Sequence, residues 1–310
     1  MKTDLPAISL EGVAKRYGAT VAVRDITFAL PQGAQVALVG HNGAGKTTLM
    51  KLMLGLARPS AGRILMLGHD PAEREAETRR RIGWLPENIT FNGTLTGREV
   101  MRFFAGLKRE PVAAADAMLE RVGLAAAARR RVGTYSKGMR QRLGLAQALL
   151  GTPRALLLDE PTTGLDPEVR QDMYDILANL SGAGTTVLLS SHALEELEER
   201  VERVVILDRG RLVADGTMAE LRRLSRLPLR LRLTLAKPGA APEWLAAAGP
   251  LRRPDAFTVE LSCTPEEKMA LLRQAAADPH LADIHLQAPT LDELYAHFLR
   301  GHGQERETAP

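Results

Sequence analysis

The chain has 310 residues, of which 45% are hydrophobic and 25% charged, as expected for a globular protein with one large domain and a smaller one. Its formal net charge of +4 is small for this length and does not by itself indicate a nucleic-acid partner. The single cysteine, Cys263, excludes an internal disulfide and fits a reducing compartment. It stands in an alternating apolar pattern, which predicts a buried small hydrophobe rather than a reactive thiol.

No segment approaches the roughly 18 to 20 uninterrupted apolar residues that cross a bilayer. The longest candidate, residues 146–158, is broken by Gly151, Pro153 and Arg154. The first residues also lack the apolar run of a signal peptide. We therefore expect a soluble, cytoplasmic chain that reaches a membrane only through a partner.

Strands and helices alternate along the first 222 residues. Residues 7–39 are predicted to be strands, and the last of them, Gln35–Val39, feeds a loop at Gly40. A helix is expected over about Lys46–Leu56, and residues 95–150 carry mostly helical periodicity. The elements predicted beyond them are strands at Ala155–Leu158, Thr186–Ser190 and Val204–Leu207, and helices at Glu168–Leu180 and Leu194–Arg203. This alternation predicts an α/β fold with a largely parallel sheet.

The composition changes near residue 222, where an arginine cluster begins and where we place a domain boundary. A small α+β domain is predicted over residues 223–300, followed by a disordered tail at 301–310. Its predicted elements are strands at Leu229–Leu235, Phe257–Cys263 and Ile284–Leu286, and helices at Pro265–Ala277 and Leu291–Leu299. The arginines have no interleaved aromatic residues, so we interpret them as a solvated strand face and expect no nucleic-acid partner.

The strongest motif is Gly40-His-Asn-Gly-Ala-Gly45-Lys46-Thr47, a complete phosphate-binding loop between a buried strand and a helix. Its glycines allow successive backbone N–H groups to turn toward phosphate oxygens, and the helix N-terminus adds a favourable dipole. Lys46 is predicted to neutralise the β- and γ-phosphates of ATP, and the Thr47 hydroxyl to ligate Mg²⁺.

A second motif, Ala155-Leu-Leu-Leu-Asp159-Glu160, delivers two carboxylates to the carboxyl end of a buried strand. Ligands of open α/β sheets bind at that edge. Asp159 is predicted to hold Mg²⁺, and Glu160 to act as the general base on the attacking water. Together, the two motifs predict a P-loop nucleoside triphosphatase of α/β class.

The subclass follows from Tyr135-Ser136-Lys-Gly138-Met-Arg-Gln141-Arg142, which resembles the signature motif of ABC ATPases with lysine at its third position. The resemblance covers residues 7–222 and implies an ABC-type fold with a helical subdomain at about 88–150. In this family the signature binds the γ-phosphate of ATP held by the opposite protomer of a homodimer. Ser136 also reads as an ordinary helix N-cap, and the two roles are compatible.

Other positions take their roles from the same resemblance. Thr163-Gly-Leu-Asp166 is similar to the D-loop, His192 to the switch histidine that contacts the γ-phosphate, and Tyr17 to the aromatic residue that stacks on adenine. The implied catalytic residues are Glu160, His192 and Lys46. The implied nucleotide-binding residues are Tyr17, Gly40, Asn42, Gly43, Ala44, Gly45, Lys46, Thr47, Thr48, Ser136, Gly138 and Asp166.

One position departs from the family pattern. Ile82-Gly-Trp-Leu-Pro-Glu87 matches the loop whose last residue is normally glutamine. Glu87 keeps an oxygen ligand, so the implied metal ligands are Thr47, Asp159 and Glu87. It also adds a negative charge beside Asp159 and Glu160, which bears on metal affinity and pH dependence.

The C-terminal part resembles the small domain found on ATPase subunits of ABC-2-type transporters, with Ala288-Pro-Thr-Leu-Asp-Glu-Leu-Tyr295 similar to their closing helix. Within that group the sequence most resembles the NosF type, which accompanies maturation of the copper site of nitrous oxide reductase. This resemblance implies an integral membrane NosY-like permease and a periplasmic NosD-like protein as partners.

The sequence is consistent with two functions. The first is an ATPase subunit, peripheral on the inner face of the cell membrane, whose dimer closes around two ATP molecules to drive a permease. Residues from Glu87 to Leu107 would receive the permease. The second is a soluble ABC ATPase that transports nothing, of the iron–sulfur-assembly type, although that type normally lacks a C-terminal domain.

Overall fold

The computed structural model describes residues 5–73, 75–239 and 241–307. Within them the chain forms two compact units, the first ending at Thr217 and the second beginning at Met218. The first unit therefore ends five residues before the composition change at residue 222, because the helix Met218–Ser225 belongs to the second unit. The division into functional domains stays a prediction.

The described residues of the first unit form nine strands in two sheets. They are β1 (Ile8–Tyr17), β2 (Thr20–Leu30), β3 (Gln35–Val39), β4 (Ala61–Met66), β5 (Ile82–Leu85), β6 (Ala155–Leu158), β7 (Thr186–Ser191), β8 (Arg203–Asp208) and β9 (Arg211–Gly216). The larger sheet has the order β5-β6-β7-β3-β8-β9 and the smaller one β2-β1-β4. The larger sheet is parallel except for β9, which pairs antiparallel with β8. The predicted α/β class with a largely parallel sheet is confirmed.

Where the structure describes this unit, seven helices connect the strands: α1 (Lys46–Met53), α2 (Ala76–Arg80), α3 (Gly97–Lys108), α4 (Val112–Arg121), α5 (Lys137–Leu149), α6 (Pro167–Gly182) and α7 (Leu194–Leu197). Short 3-10 turns lie at Pro71–Glu73, Ala125–Ala127 and Val132–Thr134. Between β5 and β6, α3, α4 and α5 pack on one another and make up the predicted helical region.

The central strands β3, β6 and β7 of the larger sheet are buried on both faces, which explains their mostly apolar sequences, whereas the edge strand β9 is partly exposed. Every residue of β3, β6 and β7 is buried, and the fully apolar β6 has exactly the predicted bounds. The helix predicted over Leu194–Arg203 ends instead at Leu197. In a longer helix, the glutamates at 198, 199 and 202 would lie at the C-terminal end, where the negative end of the helix dipole repels them. In addition, β8 already begins at Arg203.

In the second unit, the described residues 218–239 and 241–307 form four strands and four helices. They are α8 (Met218–Ser225), β10 (Leu229–Leu235), α9 (Trp244–Ala247), β11 (Leu251–Arg252), β12 (Thr258–Cys263), α10 (Lys268–Ala277), β13 (Leu281–Gln287) and α11 (Leu291–Glu307). The sheet order is β11-β12-β10-β13, and each neighbouring pair is antiparallel. From β10 to β13 the chain therefore follows a ferredoxin-like β-α-β-β-α-β path.

One face of this second sheet holds a separate apolar core that includes Leu231, Leu233 and Val259. Cys263 is buried at the end of β12, as predicted. Arg230 and Arg232 lie on the other face and pair with Glu293 and Glu260. These contacts fit the interpretation of the arginines as a solvated strand face.

The C-terminal tail differs from the prediction of disorder over residues 301–310. Residues 301–307 continue helix α11 instead of being disordered, whereas 308–310 lie outside the described residues. Residues 304–307 read Gln-Glu-Arg-Glu, all good helix formers, and a helix that is already nucleated propagates through them.

Candidate nucleotide-binding and catalytic site

The site lies where three neighbouring strands end. In the larger sheet β7 pairs with both β3 and β6, and Val39 is level with Ser191 while Leu158 is level with Leu189. Because these strands are parallel, their carboxyl ends open at the same edge. The register therefore brings the phosphate loop after β3 to the residues that follow β6 and β7.

The phosphate loop leads directly into α1, whose N-cap is Gly45. Gly45 has φ of 105°, and a Cβ there would lie 2.8 Å from the Ala22 carbonyl oxygen, so the position requires glycine. Lys46 begins the helix and is buried, and its Nζ donates to the Gly40 carbonyl oxygen at 2.5 Å. The lysine ammonium is thus folded back along its own loop.

The two predicted carboxylates are held by hydroxyl groups. Asp159 is 2% exposed, and its Oδ2 accepts a hydrogen bond from Thr47 Oγ1 at 2.8 Å. Its Oδ1 accepts from Ser190 Oγ at 2.6 Å, and the same Ser190 oxygen accepts from the Glu160 backbone N–H at 2.9 Å. Ser190 therefore links both acidic residues to β7.

Glu160 is the buried centre of a charged group. Its Oε2 lies 2.7 Å from Nδ1 of His192, and its Oε1 lies 3.9 Å from Nζ of Lys46. Thr163 Oγ1 also donates to Oε2 at 3.3 Å. The backbone of Glu160 has φ of 50°, a conformation that non-glycine residues adopt mostly at turns and functional sites. His192 is exposed and lines the same pocket.

These residues surround a cavity of about 760 Å³, within the range of small-molecule sites. Its wall is formed by Thr20, Val21, Ala22, Gly40, His41, Asn42, Gly43, Gly45, Lys46, Thr47, Thr48, Glu87, Asp159, Glu160 and His192. All three predicted metal ligands are among them. Glu87 is exposed, at the end of β5, which neighbours β6 in the sheet.

The oxygen atoms of Thr47, Asp159 and Glu87 suit Mg²⁺ by their chemistry. Among residues 5–73, 75–239 and 241–307, no cluster of three or more histidine, cysteine or acidic side chains could hold a metal on its own. Mg²⁺ usually keeps several waters and takes one or two carboxylates together with substrate phosphates. The donor set therefore fits a nucleotide-dependent magnesium site better than a protein-only one.

Five predicted nucleotide-binding residues lie outside the cavity wall: Tyr17, Ala44, Ser136, Gly138 and Asp166. The Ala44 side chain is fully buried beneath the loop. Tyr17 is about half exposed, and it pairs across the β1–β2 hairpin with Thr20, which does line the cavity. The remaining three residues belong to a different surface of the same unit.

That second surface joins the start of α5 to the segment before α6. Ser136 is the N-cap of α5, and its Oγ accepts from the Met139 backbone N–H at 3.2 Å. Gly138 packs near the Leu165 side chain, and Asp166 is the exposed N-cap of α6. Buried Gln141 donates to the Pro161 carbonyl oxygen at 2.8 Å and ties α5 to the segment after β6.

Several residues of the site were not predicted from the sequence, among them Ser190 and His41. Ser190 Oγ binds the Asp159 carboxylate and the Glu160 backbone N–H, and His41 lines the cavity. The Ser190-Ser-His192 run after a buried strand was the available signal for the first, since a hydroxyl on that strand faces the neighbouring strand end. His41 was visible only as a variable position of the loop motif.

Comparison with known proteins agrees with this geometry. Residues 23–163 match the family model described as ABC transporter. The chain is 36% identical to daunorubicin resistance ATP-binding protein DrrA3 of Streptomyces coeruleorubidus, over 98% of this chain and 99% of the relative. It is 32% identical to linearmycin resistance ATP-binding protein LnrL of Bacillus subtilis, over 93% and 96% of the two chains. A solved ATP-binding subunit of an ABC transporter superposes with a TM-score of 0.66 at 31% identity, over 70% of this chain and 92% of that one.

A phosphate loop, two strand-end carboxylates and a signature helix on one α/β unit define an ABC-type ATPase. The chain belongs to the ABC transporter family, as an ATP-binding subunit, and its nearly full-length relatives are drug-resistance proteins of the ABC-2 group. ATPases of this family dimerise and work with membrane permeases. In the part of the chain that the structure describes, no helix is long and apolar enough to cross a bilayer.

Proposed function

We propose that this chain is the ATP-hydrolysing subunit of an exporter for small drug-like molecules, working as a homodimer beneath an integral membrane permease on the cytoplasmic face. One observation carries the proposal: the ends of β3, β6 and β7 place Lys46, Asp159, Glu160 and His192 around one cavity. The type of cargo rests on the names of the relatives, which are resistance proteins for daunorubicin and linearmycin.

Nucleotide binding is assigned to the phosphate loop. Lys46 would exchange its contact with the Gly40 carbonyl for the β- and γ-phosphates, while backbone N–H groups of residues 42–48 and the start of α1 bind the remaining oxygens. Tyr17 would stack on adenine, since its hairpin partner Thr20 lies in the cavity wall. Lys46→Ala should abolish ATP binding in an equilibrium titration, and retained affinity would overturn the assignment.

Thr47, Asp159 and Glu87 would hold Mg²⁺, which supplies charge neutralisation for the phosphates when bound. Glu160 is assigned as general base because its side chain is buried, lines the cavity and accepts a hydrogen bond from Thr163, while its backbone N–H donates to Ser190. It would accept a proton from the water that attacks the γ-phosphorus, with ADP as the leaving group. His192, 2.7 Å from Glu160, would orient that carboxylate and contact the γ-phosphate.

The homodimer is proposed because the signature residues lie outside the cavity of their own chain. Ser136 and Gly138 open helix α5 beside the Leu165 side chain, and neither residue lines the cavity of the phosphate loop. A helix N-terminus is an anion site, so a second copy would place it against the γ-phosphate. Each ATP would then contact both chains, and its hydrolysis would remove the contact that holds the dimer closed.

The permease is proposed to dock on an apolar surface that follows Glu87 in the sequence. It is made of Phe91, Phe103, Phe104 and Leu107 and is here named the aromatic patch. Phe103 and Leu107 are each 62% exposed on α3. Phe104 packs edge-on against Phe91 and Phe103, with ring centroids 6.5 and 5.4 Å away. Exposed clustered aromatic side chains are typical of protein interfaces.

The docking surface can be tested with paired variants. Phe103→Glu should prevent co-purification of a multi-span permease when the tagged chain is extracted from its native membranes in mild detergent. Phe257→Glu changes an exposed phenylalanine of the second unit and serves as the matched control. Equal recovery of the permease with both variants would remove the aromatic patch from the interface.

A narrower second candidate is the NosF-like role in copper-site maturation of nitrous oxide reductase. It is favoured by the sequence segments Gly40–Gly45, Leu85–Phe91, Tyr135–Gly151 and His285–Tyr295, whereas the relatives named above favour drug resistance. The same pull-down separates the two candidates. A NosY-like permease together with a periplasmic NosD-like protein would favour the narrower role, and a permease of the drug-resistance type would oppose it.

The soluble, iron–sulfur-assembly alternative makes a different prediction. It requires the chain to purify only with soluble partners and to be absent from washed membranes. Relatives that match nearly the whole chain, including the second unit, support the transport role. Recovery of the chain without any permease would favour the soluble alternative over the transport role.

A further inference from the structure

Ser190 carries a fully buried hydroxyl group near the carboxyl end of β7, a strand whose middle residues are apolar. The neighbouring strand is β6, in which Leu158 is level with Leu189. Because the two strands are parallel, one further residue along each of them brings Ser190 level with Asp159. A buried hydroxyl group needs hydrogen-bond partners, and the residues that follow β6 are within its reach.

The hydroxyl group of Ser190 makes two hydrogen bonds in opposite senses. Its Oγ donates to Asp159 Oδ1 at 2.6 Å and accepts from the Glu160 backbone N–H at 2.9 Å. A serine hydroxyl has a single proton and an N–H group only donates, so that proton is directed to Asp159. The N–H, the hydroxyl and the carboxylate thus form a chain in which each hydrogen bond strengthens the next.

The first consequence concerns the metal ligands. While Ser190 holds Oδ1 of Asp159, the other oxygen of the carboxylate, Oδ2, accepts from Thr47 Oγ1 at 2.8 Å. Asp159 and Thr47 are two of the three proposed Mg²⁺ ligands and both line the cavity, whereas Ser190 lies outside the cavity wall. Removing a hydrogen bond behind a metal ligand typically lowers metal affinity or activity by about 10- to 100-fold. Ser190 therefore acts on the metal through the orientation of Asp159.

The second consequence concerns the general base. Glu160 has φ of 50°, in the left-handed region that a non-glycine residue keeps only where its surroundings hold it there. The hydrogen bond from its backbone N–H to Ser190 is such a contact. It holds the backbone from which the carboxylate of Glu160 reaches His192 and Thr163. A hydroxyl group on one strand thus sets the direction in which the chain leaves the next strand.

We propose that Ser190 is a positioning residue for ATP hydrolysis, whose single hydroxyl group orients a metal ligand through its carboxylate and the general base through its backbone. The proposal rests on the proposed function, in which Asp159 holds Mg²⁺ and Glu160 activates water. Ser190 makes no contact with the nucleotide in this assignment. Loss of its hydroxyl group should therefore weaken metal binding and slow hydrolysis, while the affinity for metal-free ADP stays unchanged.

The chain offers a matched control on the same strand. Thr186, at the amino end of β7, is also fully buried. Its Oγ1 accepts from the Gly33 backbone N–H at 3.0 Å and donates to the Pro31 carbonyl oxygen at 3.2 Å. Thr186→Val and Ser190→Ala each remove a buried hydroxyl group with two hydrogen bonds, so a general loss of stability affects them alike. Ser190→Thr keeps the hydroxyl group on a β-branched side chain, which suits a strand.

The first measurement is the affinity of the chain–ADP complex for Mn²⁺, followed by electron paramagnetic resonance of the free ion. Ser190→Ala should bind Mn²⁺ about 10- to 100-fold more weakly than the wild type, whereas Ser190→Thr and Thr186→Val should stay within about threefold. All variants should bind ADP equally in the presence of a chelator. Wild-type Mn²⁺ affinity in Ser190→Ala, or an equal loss in Thr186→Val, would overturn the proposal. A wild type that binds neither ADP nor Mn²⁺ would contradict the proposed function instead.

The second measurement is single-turnover ATP hydrolysis at saturating Mg²⁺, where weaker metal binding no longer limits the rate. Ser190→Ala should still be about 10- to 100-fold slower than the wild type, with an ATP affinity within about threefold, and Ser190→Thr should recover most of the rate. Thr186→Val should hydrolyse ATP at the wild-type rate. A wild-type rate for Ser190→Ala under these conditions would overturn the role of Ser190 toward Glu160.

Discussion

Replacing Glu160 with glutamine removes the proposed general base while keeping its size. Glutamine can still accept the Thr163 hydrogen bond, and its backbone N–H still reaches Ser190, so the position of the side chain is retained. Loss of a general base reduces a rate by about 10² to 10⁴, equivalent to about 3 to 5 kcal/mol of activation free energy. The hydrolysis rate of Glu160→Gln should fall by that factor.

The same substitution should strengthen ATP binding. Glu160 Oε1 lies 3.9 Å from Lys46 Nζ, and unit charges at this separation attract by about 4 kcal/mol at an effective dielectric constant of about 20. Removing the carboxylate leaves Lys46 free for the phosphates. If about a quarter of that energy is transferred to the nucleotide, the affinity rises about fivefold.

Single-turnover release of phosphate measures the first quantity, and an equilibrium ATP titration measures the second. Glu266→Gln is a suitable control because Glu266 is an exposed carboxylate of the second unit. The account is refuted by a Glu160→Gln chain that hydrolyses ATP within about threefold of the wild-type rate. Slow hydrolysis combined with much weaker ATP binding would show that Glu160 acts mainly in binding.

Three further predictions concern stability and the loop. Burial lowers the pKa of Lys108 to about 8, and the nearby Glu110 partly offsets this effect. The unfolded state therefore binds this proton more tightly, so the free energy of unfolding should rise between about pH 8 and about pH 10 by at most about 3 kcal/mol. Denaturant titrations of Lys108→Met should lack this rise, and a variant whose unfolding free energy depends on pH as the wild type's does would contradict the prediction. Gly45→Ala should lose at least about tenfold in ATP affinity, because the added Cβ meets a carbonyl oxygen at 2.8 Å in a backbone with positive φ; unaltered binding in the same titration would show that the loop adapts. Leu233→Ala should destabilise the second unit by about 2 to 5 kcal/mol in thermal unfolding, because Leu233 is buried in its core. Arg232→Ala, on the opposite and exposed face of the sheet, should cost less than about 1 kcal/mol. Equal losses of stability in the two variants would contradict the assigned core.

Local features of the site were accessible from the sequence. The glycine spacing between an apolar strand and a helix predicts the phosphate loop, and the apolar run Ala155–Leu158 predicts a strand that ends in two carboxylates. Both depend on short segments whose chemistry is decided within a few residues. The structure brings these segments together because parallel strands share one carboxyl edge.

Other features depend on distant pairings and were not accessible. The ferredoxin-like order of the second unit requires β10 to pair with both β12 and β13, and no local pattern states which strands become neighbours. A 2.8 Å contact between His41 Nε2 and Asp208 Oδ1 joins residues 167 positions apart in the chain. The early end of α7 and the helical residues 301–307 show that helix ends respond to charge and to the adjoining element more than to periodicity.

The most direct test of the central claim is whether ATP joins two copies of this chain through the signature helix. Sedimentation velocity of Glu160→Gln with ATP should show a dimer. The added substitution Ser136→Asp retains a good N-cap but repels the γ-phosphate. The double variant should still bind ATP, yet it should sediment as the chain does without ATP. A Glu160→Gln chain that binds ATP without forming a dimer, or whose dimer is unaffected by Ser136→Asp, would contradict the account.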